Sequence, residues 1–285
     1  MAVGVPGPVA PYLRPDRLED ALAILASEPR LILAGGTDVY PASASRPLDR
    51  PVLDITALPG LRRVVDDGDA WLIPALTTWT DVAEASLPPA FDGLRMAART
   101  IGGRQIQNAG TICGNVVNAS PASDGMPNLL ALGASVELAS TAGARVVPLD
   151  RFVLGNRKTD LRPGELIVGL RVPKLDGDVR STFEKLGSRA YLVISIVAVA
   201  AVIRVEDGRV VDARVAVGAC SPVARRLAAL EADLVGRPAN GTLVDVVRRG
   251  HLAGLAPIDD VRGTAAYRSD AVRTLVRRAL AEVVG

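Results

Sequence analysis

The residues of this 285-residue chain best placed to do chemistry are glycines rather than acids, bases or thiols. Ile32 to Val39 reads ILAGGTDV, an apolar strand ending in Gly35 and Gly36, followed by the hydroxyl of Thr37 and the carboxylate of Asp38. Glycine lets backbone amides approach an anion closely, and several N–H groups converging after a strand make a nest for phosphate. Taken alone, the same residues also make a plain strand-to-helix turn. Gly102, Gly103, Gly110 and Gly114, interleaved with Asn108, Asn115 and Asn118, supply a second set of close-approach positions further along. Two such loops could hold the two ends of one long ligand. A pyrophosphate suits them, because each charge-assisted bond from a main-chain N–H contributes about 1.5–3 kcal/mol. On this reading a side chain on Gly36 would fill the space meant for that pyrophosphate. Asp124 either accepts hydrogen bonds from ribose hydroxyls or shapes a turn before Gly125.

Other chemistries are excluded by composition. His251 is the only histidine, and Cys113 and Cys220 are the only cysteines, none at metal-ligand spacing. Zinc, haem and iron–sulfur sites within this polypeptide are thereby set aside, as are Ser-His and Cys-His nucleophiles. No P-loop pattern and no G-x-G occurs, so P-loop and Rossmann phosphate sites lack their glycine spacing. Thirty-three Lys and Arg against 31 Asp and Glu leave a formal charge of +2, too little to gather a polyanion or an anionic membrane. The first fifteen residues lack a basic segment followed by an apolar core, and the apolar run from Tyr191 to Ile203 is too short to span a bilayer. A cytoplasmic location is expected.

The elements that must position the glycines follow from periodicity. A helix is expected over Asp16 to Leu25 with Asp16 as cap, strands over Leu31 to Ala34 and Pro51 to Ile55, and a short strand over Trp71 to Pro74. Helices follow over Thr77 to Ala85 and Phe91 to Thr100. From Ile101 to Asn128 only Arg104 and Asp124 are charged, a stretch too small-sided to fill a core and too uncharged for an ordinary loop. Strands resume at Ser135 to Leu138 and Glu165 to Val172. Antiparallel strands are expected at Phe183 to Leu186, Val193 to Arg204 and Val210 to Val217, with Glu206 to Arg209 as a hairpin turn. Helices near Leu227 to Leu234 and Asp270 to Val284 close the chain.

With these residues in view, the sequence resembles the FAD-binding (medium) subunits of the xanthine dehydrogenase family of molybdenum hydroxylases, which includes carbon monoxide dehydrogenase flavoproteins. AGGTD at Ala34 to Asp38 resembles the family's first flavin motif. IGGRQIQNAGTICGNVVNASPASD at Ile101 to Asp124 resembles its second. FEKLGSR at Phe183 to Arg189 resembles the opening of the C-terminal lobe, and DDVRGTAAYR at Asp259 to Arg268 its closing signature. Four motifs in the family's order are far more specific than any one of them.

The resemblance implies an α+β chain: a two-lobed FAD-binding domain of the PCMH or vanillyl-alcohol-oxidase type (residues 1–56 and 57–175), then an antiparallel sheet with helices of the carbon monoxide dehydrogenase flavoprotein C-terminal type (residues 176–285). It implies that Ile32, Leu33, Ala34, Gly35, Gly36, Thr37, Asp38 and Val39 form one pyrophosphate loop. Gly110, Thr111, Cys113, Gly114 and Asn115 would form the other. Asp124 would hold the ribose or adenine end, Ile101 and Val117 would press on the isoalloxazine or the chain beside it, Ile167 would contribute from its strand, and Lys185 would reach the flavin edge. FAD would be the cofactor here, with molybdopterin and [2Fe–2S] clusters confined to partners: a large and a small subunit, assembled as a dimer of heterotrimers. The flavin carries the chemistry, so no catalytic side chain is expected. A free-standing flavin reductase of the UDP-N-acetylenolpyruvylglucosamine reductase group, or a scaffold that lost its cofactor, are the alternatives. Three departures stand out. Cys113 replaces a glycine and would be strained if its φ were positive; Leu192-Val193 stands where relatives often carry an acid; and no cysteines for an extra cluster are present.

Overall fold

The computed structural model describes residues 11–43, 48–190 and 192–285. The leader-free reading of the first ten residues and Tyr191, the start of the long apolar run, lie outside the described residues.

Three larger sheets succeed one another along the chain, and Val153–Gly155 pairs with Lys158–Thr159 in a fourth, two-stranded one. The first has three parallel strands, with Val52–Asp54 between Tyr12–Leu13 and Leu31–Leu33. Helix Leu18–Ser27 packs Ala21, Leu22 and Leu25 against Leu53, Ile55 and Leu166. Asp16 does not cap this helix; Arg17 occupies the N-cap position without a side-chain cap bond, and Glu19 and Asp20 in the first turn face the positive end of the helix dipole instead. Strand Leu31–Leu33 ends in the Gly35-Gly36 turn, where Gly36 has φ +70°, which a side chain rarely adopts.

The second sheet is antiparallel, in the order Val65–Asp67, Ala70–Pro74, Leu166–Pro173, Ser135–Ser140, Gly143–Pro148. A bulge between Ile167 and Gly169 leaves Val168 unpaired with the neighbouring strand, and its carbonyl accepts from the Ala75 N–H at 3.0 Å. Between the second and fourth strands of this sheet's order, the chain runs through helices Trp79–Glu84, Asp92–Thr100, Arg104–Ala109, Ile112–Asn118 and Gly125–Ala131. The charge-poor stretch does help to fill a core: Ile112, Cys113, Val116 and Met126 are buried, and every residue of helix Gly125–Ala131 is buried. Small side chains are what allow this. A Cβ on Gly93 would come within 2.7 Å of the Thr182 carbonyl oxygen, so helix Asp92–Thr100 lies directly on the third sheet.

That third sheet is antiparallel, in the order Asp178–Leu186, Val197–Glu206, Arg209–Gly218, Arg225–Arg226. Its second strand is buried on both faces and alternates accordingly. Ala198, Ala200 and Val202 pack with Leu129 and Phe183 in one core, while Val197, Val199, Ala201 and Ile203 pack with Val272, Val276 and Leu280 of the C-terminal helix in another. The Glu206 to Arg209 hairpin turns on Asp207 (φ +48°) and Gly208 (φ +70°), the two left-handed residues a tight hairpin needs. The C-terminal helix spans Ala265–Val284 and begins five residues before Asp270, because Thr264 caps it by accepting from the Tyr267 N–H. Arg268 in its first turns is buried and donates to the carbonyls of Ile196 (2.6 Å) and Ala219 (3.1 Å) and to Asp260 (2.7 Å).

Arg145 fixes the loop before the central strand of the second sheet. Its guanidinium donates to Glu165 at 2.6 and 2.7 Å and to Asp160 at 2.6 Å, and these bonds hold both carboxyls below the ordinary carboxylate range. Replacing Arg145 by Met leaves Glu165, nearly buried, without its cation, and is expected to cost about 3 kcal/mol in urea unfolding near neutral pH. A carboxyl whose folded pKa is depressed contributes stability above its unfolded pKa and loses it as pH falls through the folded one. The gap between wild type and Arg145→Met is therefore expected to close on acidification below the ordinary carboxylate range.

Candidate functional site

A cavity of about 510 Å³ opens where the first sheet meets the helices of the second unit. From the first glycine loop, Ile32, Ala34, Gly35, Gly36, Thr37, Asp38 and Val39 line it. Leu33 does not: in an extended strand its side chain turns opposite to those of Ile32 and Ala34, and it is buried off the wall. From the second stretch, Ile101, Gly110, Thr111, Cys113, Gly114, Asn115 and Val117 line the cavity, with Ile167 from the central strand of the second sheet. Asn118 joins them, while Gly102, Gly103 and Asn108 do not. Gly102 turns the chain at φ +56°, and the Asn108 amide oxygen accepts from the Thr80 hydroxyl at 2.7 Å.

The two glycine loops touch. A Cβ built on Gly35 would lie 1.8 Å from the Ala109 carbonyl oxygen, and one on Gly110 would lie 3.3 Å from the Thr37 hydroxyl. No side chain fits at Gly35, because the obstacle is backbone. The second loop is itself clipped to the start of helix Trp79–Glu84. Trp79 N–H donates to Gly110 O at 3.2 Å and Ile112 N–H to Thr77 O at 3.0 Å. Thr78 and Asp81 form a reciprocal cap at that helix start. Burial acts to raise the Asp81 carboxyl and is outweighed by the hydrogen bonds of Arg62 and Thr78, which hold it below the ordinary carboxylate range. At Thr111 the hydroxyl accepts from the Gly114 N–H at 3.0 Å and starts helix Ile112–Asn118.

This arrangement suits an anion held by main chain. Among the described residues, the N–H groups of Gly35, Gly36, Thr37 and Asp38 have no protein acceptor. Arg30 and Arg50 also stand on the cavity wall, against the single carboxylate of Asp38. Gly36 behaves differently from the expectation: a Cβ there would meet the Tyr40 ring at 2.3 Å rather than open space, so its glycine is required by φ and by Tyr40.

Residues 7–175 match the family described as the FAD binding domain in molybdopterin dehydrogenase, and residues 182–283 match the CO dehydrogenase flavoprotein C-terminal domain. The chain belongs to this flavoprotein family. It is 32% identical over 277 residues to the glyceraldehyde dehydrogenase medium chain of Sulfolobus acidocaldarius, covering 95% of this chain and 97% of that one. It is 30% identical to the xanthine dehydrogenase FAD-binding subunit of Escherichia coli O157:H7, covering 96% of each. Among solved structures, a carbon monoxide dehydrogenase from Hydrogenophaga pseudoflava lacking the Mo-pyranopterin moiety superposes with a TM-score of 0.85 at 29% identity, covering 98% of both chains.

As a flavoprotein of this family the chain takes FAD, and the cavity fits it: an unpartnered amide loop for the pyrophosphate, and apolar walls at Ile101, Val117 and Ile167. Two residues expected to contact FAD bond to each other. Lys185 Nζ donates to Asp124 Oδ2 at 2.6 Å, Ser195 Oγ donates to Asp124 Oδ1, and the charged pair is only 10% and 6% exposed. Neither residue lines the cavity. With both carboxylate oxygens taken, Asp124 ties the second motif to the third sheet. Its neighbour Ser123 keeps the link to the site by donating to Asn115 Oδ1.

Cys113 is unstrained, since it sits in a helix and is not among the residues with positive φ. Burial pushes its thiol well up, so it stays protonated and packs. Leu192 does adopt the left-handed region (φ +51°), and a Cβ on Gly103 would lie 3.4 Å from its side chain. Trp79, Arg30, Arg50 and Leu166 are wall residues that sequence reasoning missed. Trp79 was legible only as part of a helix, and the two arginines only as charges beside strands. Among the described residues, no helix is long and apolar enough to cross a membrane.

Gly35→Ala is expected to force the two loops apart and lower FAD affinity at least about tenfold, the equivalent of one lost charge-assisted bond. The flavin-to-protein absorbance ratio after gel filtration checks this, and an unchanged far-UV spectrum is expected because the buried cores lie elsewhere.

Proposed function

We propose that this chain is the FAD-binding subunit of a cytoplasmic heterotrimeric molybdenum hydroxylase of the xanthine dehydrogenase type. Its lobes at 1–56 and 57–175 would clasp FAD, and residues 176–285 would cover the second lobe. Bound there, FAD would take electrons from the [2Fe–2S] clusters of a small partner and deliver them to a terminal acceptor, while a large molybdopterin subunit performs the hydroxylation. The full assembly would be a dimer of heterotrimers. The observation that carries the reading is the pair of touching glycine loops, the first with unpartnered amides, on a cavity whose wall offers no acid–base pair among the described residues.

The chain's own residues act by binding and positioning. The amides of Gly35 to Asp38, with those of Thr111 and Cys113 opposite, would neutralise the pyrophosphate. Ile101, Val117 and Ile167 would exclude water from the flavin rings. Lys185, Asp124 and Ser195 would lock the third sheet against the second motif. A free-standing reductase requires a proton donor facing the flavin; Cys113, the wall's one thiol, is buried and protonated, and no observation favours that alternative.

Purification from the source cell is expected to yield this chain with one FAD, together with a larger molybdenum-containing chain and a smaller iron–sulfur chain. Substrate of the large subunit should bleach the flavin absorbance of the complex, and the separated chain should not respond to it. Recovery as a lone monomer with its own turnover would contradict the proposal.

A further inference from the structure

Among the described residues, the wall of the cavity holds a buried cation whose hydrogen-bonding capacity the fold leaves unspent. Arg30, Leu31, Ile32 and Ala34, in and beside the strand at Leu31–Leu33, all line the cavity. The Arg30 side chain is only 6% exposed. Its Nη2 donates to Glu28, a half-exposed carboxylate, while Nε and Nη1 are buried with no acceptor among the described residues. Buried donors are nearly always paired, and a guanidinium cannot shed its charge to escape the penalty. The donor set is one that a bound molecule completes.

Position along the strand says which part of that molecule. The amide cradle at Gly35 to Asp38 lies at the strand's C-terminal end; Arg30 lies four residues behind Ala34, about 13 Å along extended chain. FAD extends from its pyrophosphate in two directions. One leads to Ile101, which packs on the core of the second unit. The other leads back along the strand, where Ile32, Ala34, Ile55 and Leu166 form a separate apolar cluster and all line the cavity. The flavin, expected against Ile101 and Val117, occupies the first direction, which leaves the adenylate for the second.

We propose that Arg30 is a specificity-determining contact for the adenylate half of FAD, its Nε and Nη1 donating to oxygen or ring-nitrogen acceptors of the AMP moiety, so that the chain retains FAD in preference to FMN. The inference rests on the assignment of FAD to this cavity and adds a residue outside both glycine motifs. Arg30→Met keeps the aliphatic stem and removes the donors. Arg30→Lys keeps the charge and removes the planar fork.

The test is flavin fluorescence quenching on the full-length chain stripped of flavin, titrated separately with FAD and with FMN. In Arg30→Met the Kd for FAD should rise about 10- to 100-fold, with the Kd for FMN unchanged within about twofold. Arg30→Lys should fall between the two, and it makes the same FAD-against-FMN comparison if the Met variant does not fold. Loss of competition by ADP but not by adenosine assigns the bond to phosphate; loss of both assigns it to ribose or ring. Equal weakening of FAD and FMN overturns the proposal, as does a lower melting temperature of the stripped variant with FAD affinity intact. A wild-type chain that binds neither flavin would instead overturn the FAD assignment itself.

Discussion

The site depends on a contact between two pieces of main chain. Gly35 and the Ala109-Gly110 peptide approach so closely that even a methyl group at Gly35 is excluded, and this joins a loop of the parallel first sheet to a loop between the helices of the second unit. Everything that would hold a dinucleotide follows from it. The Gly35 to Asp38 amides have no protein acceptor among the described residues, the Thr111 cap comes alongside, and the walls at Ile32 and Ile101 end up on one cavity although they belong to different cores. The hydrogen bonds from Trp79 and Ile112 fix the second loop, so the first docks onto a support that is already rigid.

The third sheet is held to this site by a different interaction. Lys185, Asp124 and Ser195 make a buried polar node at the foot of helix Gly125–Ala131. A buried ion pair pays a large desolvation cost and persists where its lone pairs and protons are satisfied. Here both carboxylate oxygens are. Arg268, bonded to the Ile196 carbonyl beside Ser195, extends the same node into the C-terminal helix. A polar chain therefore runs from the closing motif, through Ser195 and Asp124, to Ser123 and Asn115 on the cavity wall. It gives the third sheet, which contributes no residue to that wall, a physical connection to it.

Much of this was legible beforehand, and the reasons are local. The AGGTD turn, the helix that starts near Thr77 and the Asp207-Gly208 hairpin each follow from a few local residue types, and each formed. The four motifs in order identified the family. Tertiary facts were less accessible. Leu33 shares the glycine-loop run with its neighbours, yet its side chain is buried off the wall. Asp124 and Lys185, which the resemblance assigns to the cofactor, also bond to each other, and nothing in their spacing reveals that they meet across 61 positions. The small residues between Ile101 and Asn128 looked unfit for a core, yet close packing against an alanine-rich strand face is what small residues permit. Arg30 gave no signal at all, since its burial is created only when the first sheet meets the cavity.

The central claim is that both glycine loops, and not one of them, grip the pyrophosphate through main-chain amides. Hydrogen–deuterium exchange of the chain with and without FAD measures this directly. The amides of Gly35 to Asp38 and, in the second loop, those of Thr111 and Cys113, which have no protein acceptor among the described residues, should both become protected on FAD binding, while the third sheet changes little. Protection confined to one loop, or absent from both at saturating FAD, would contradict the account.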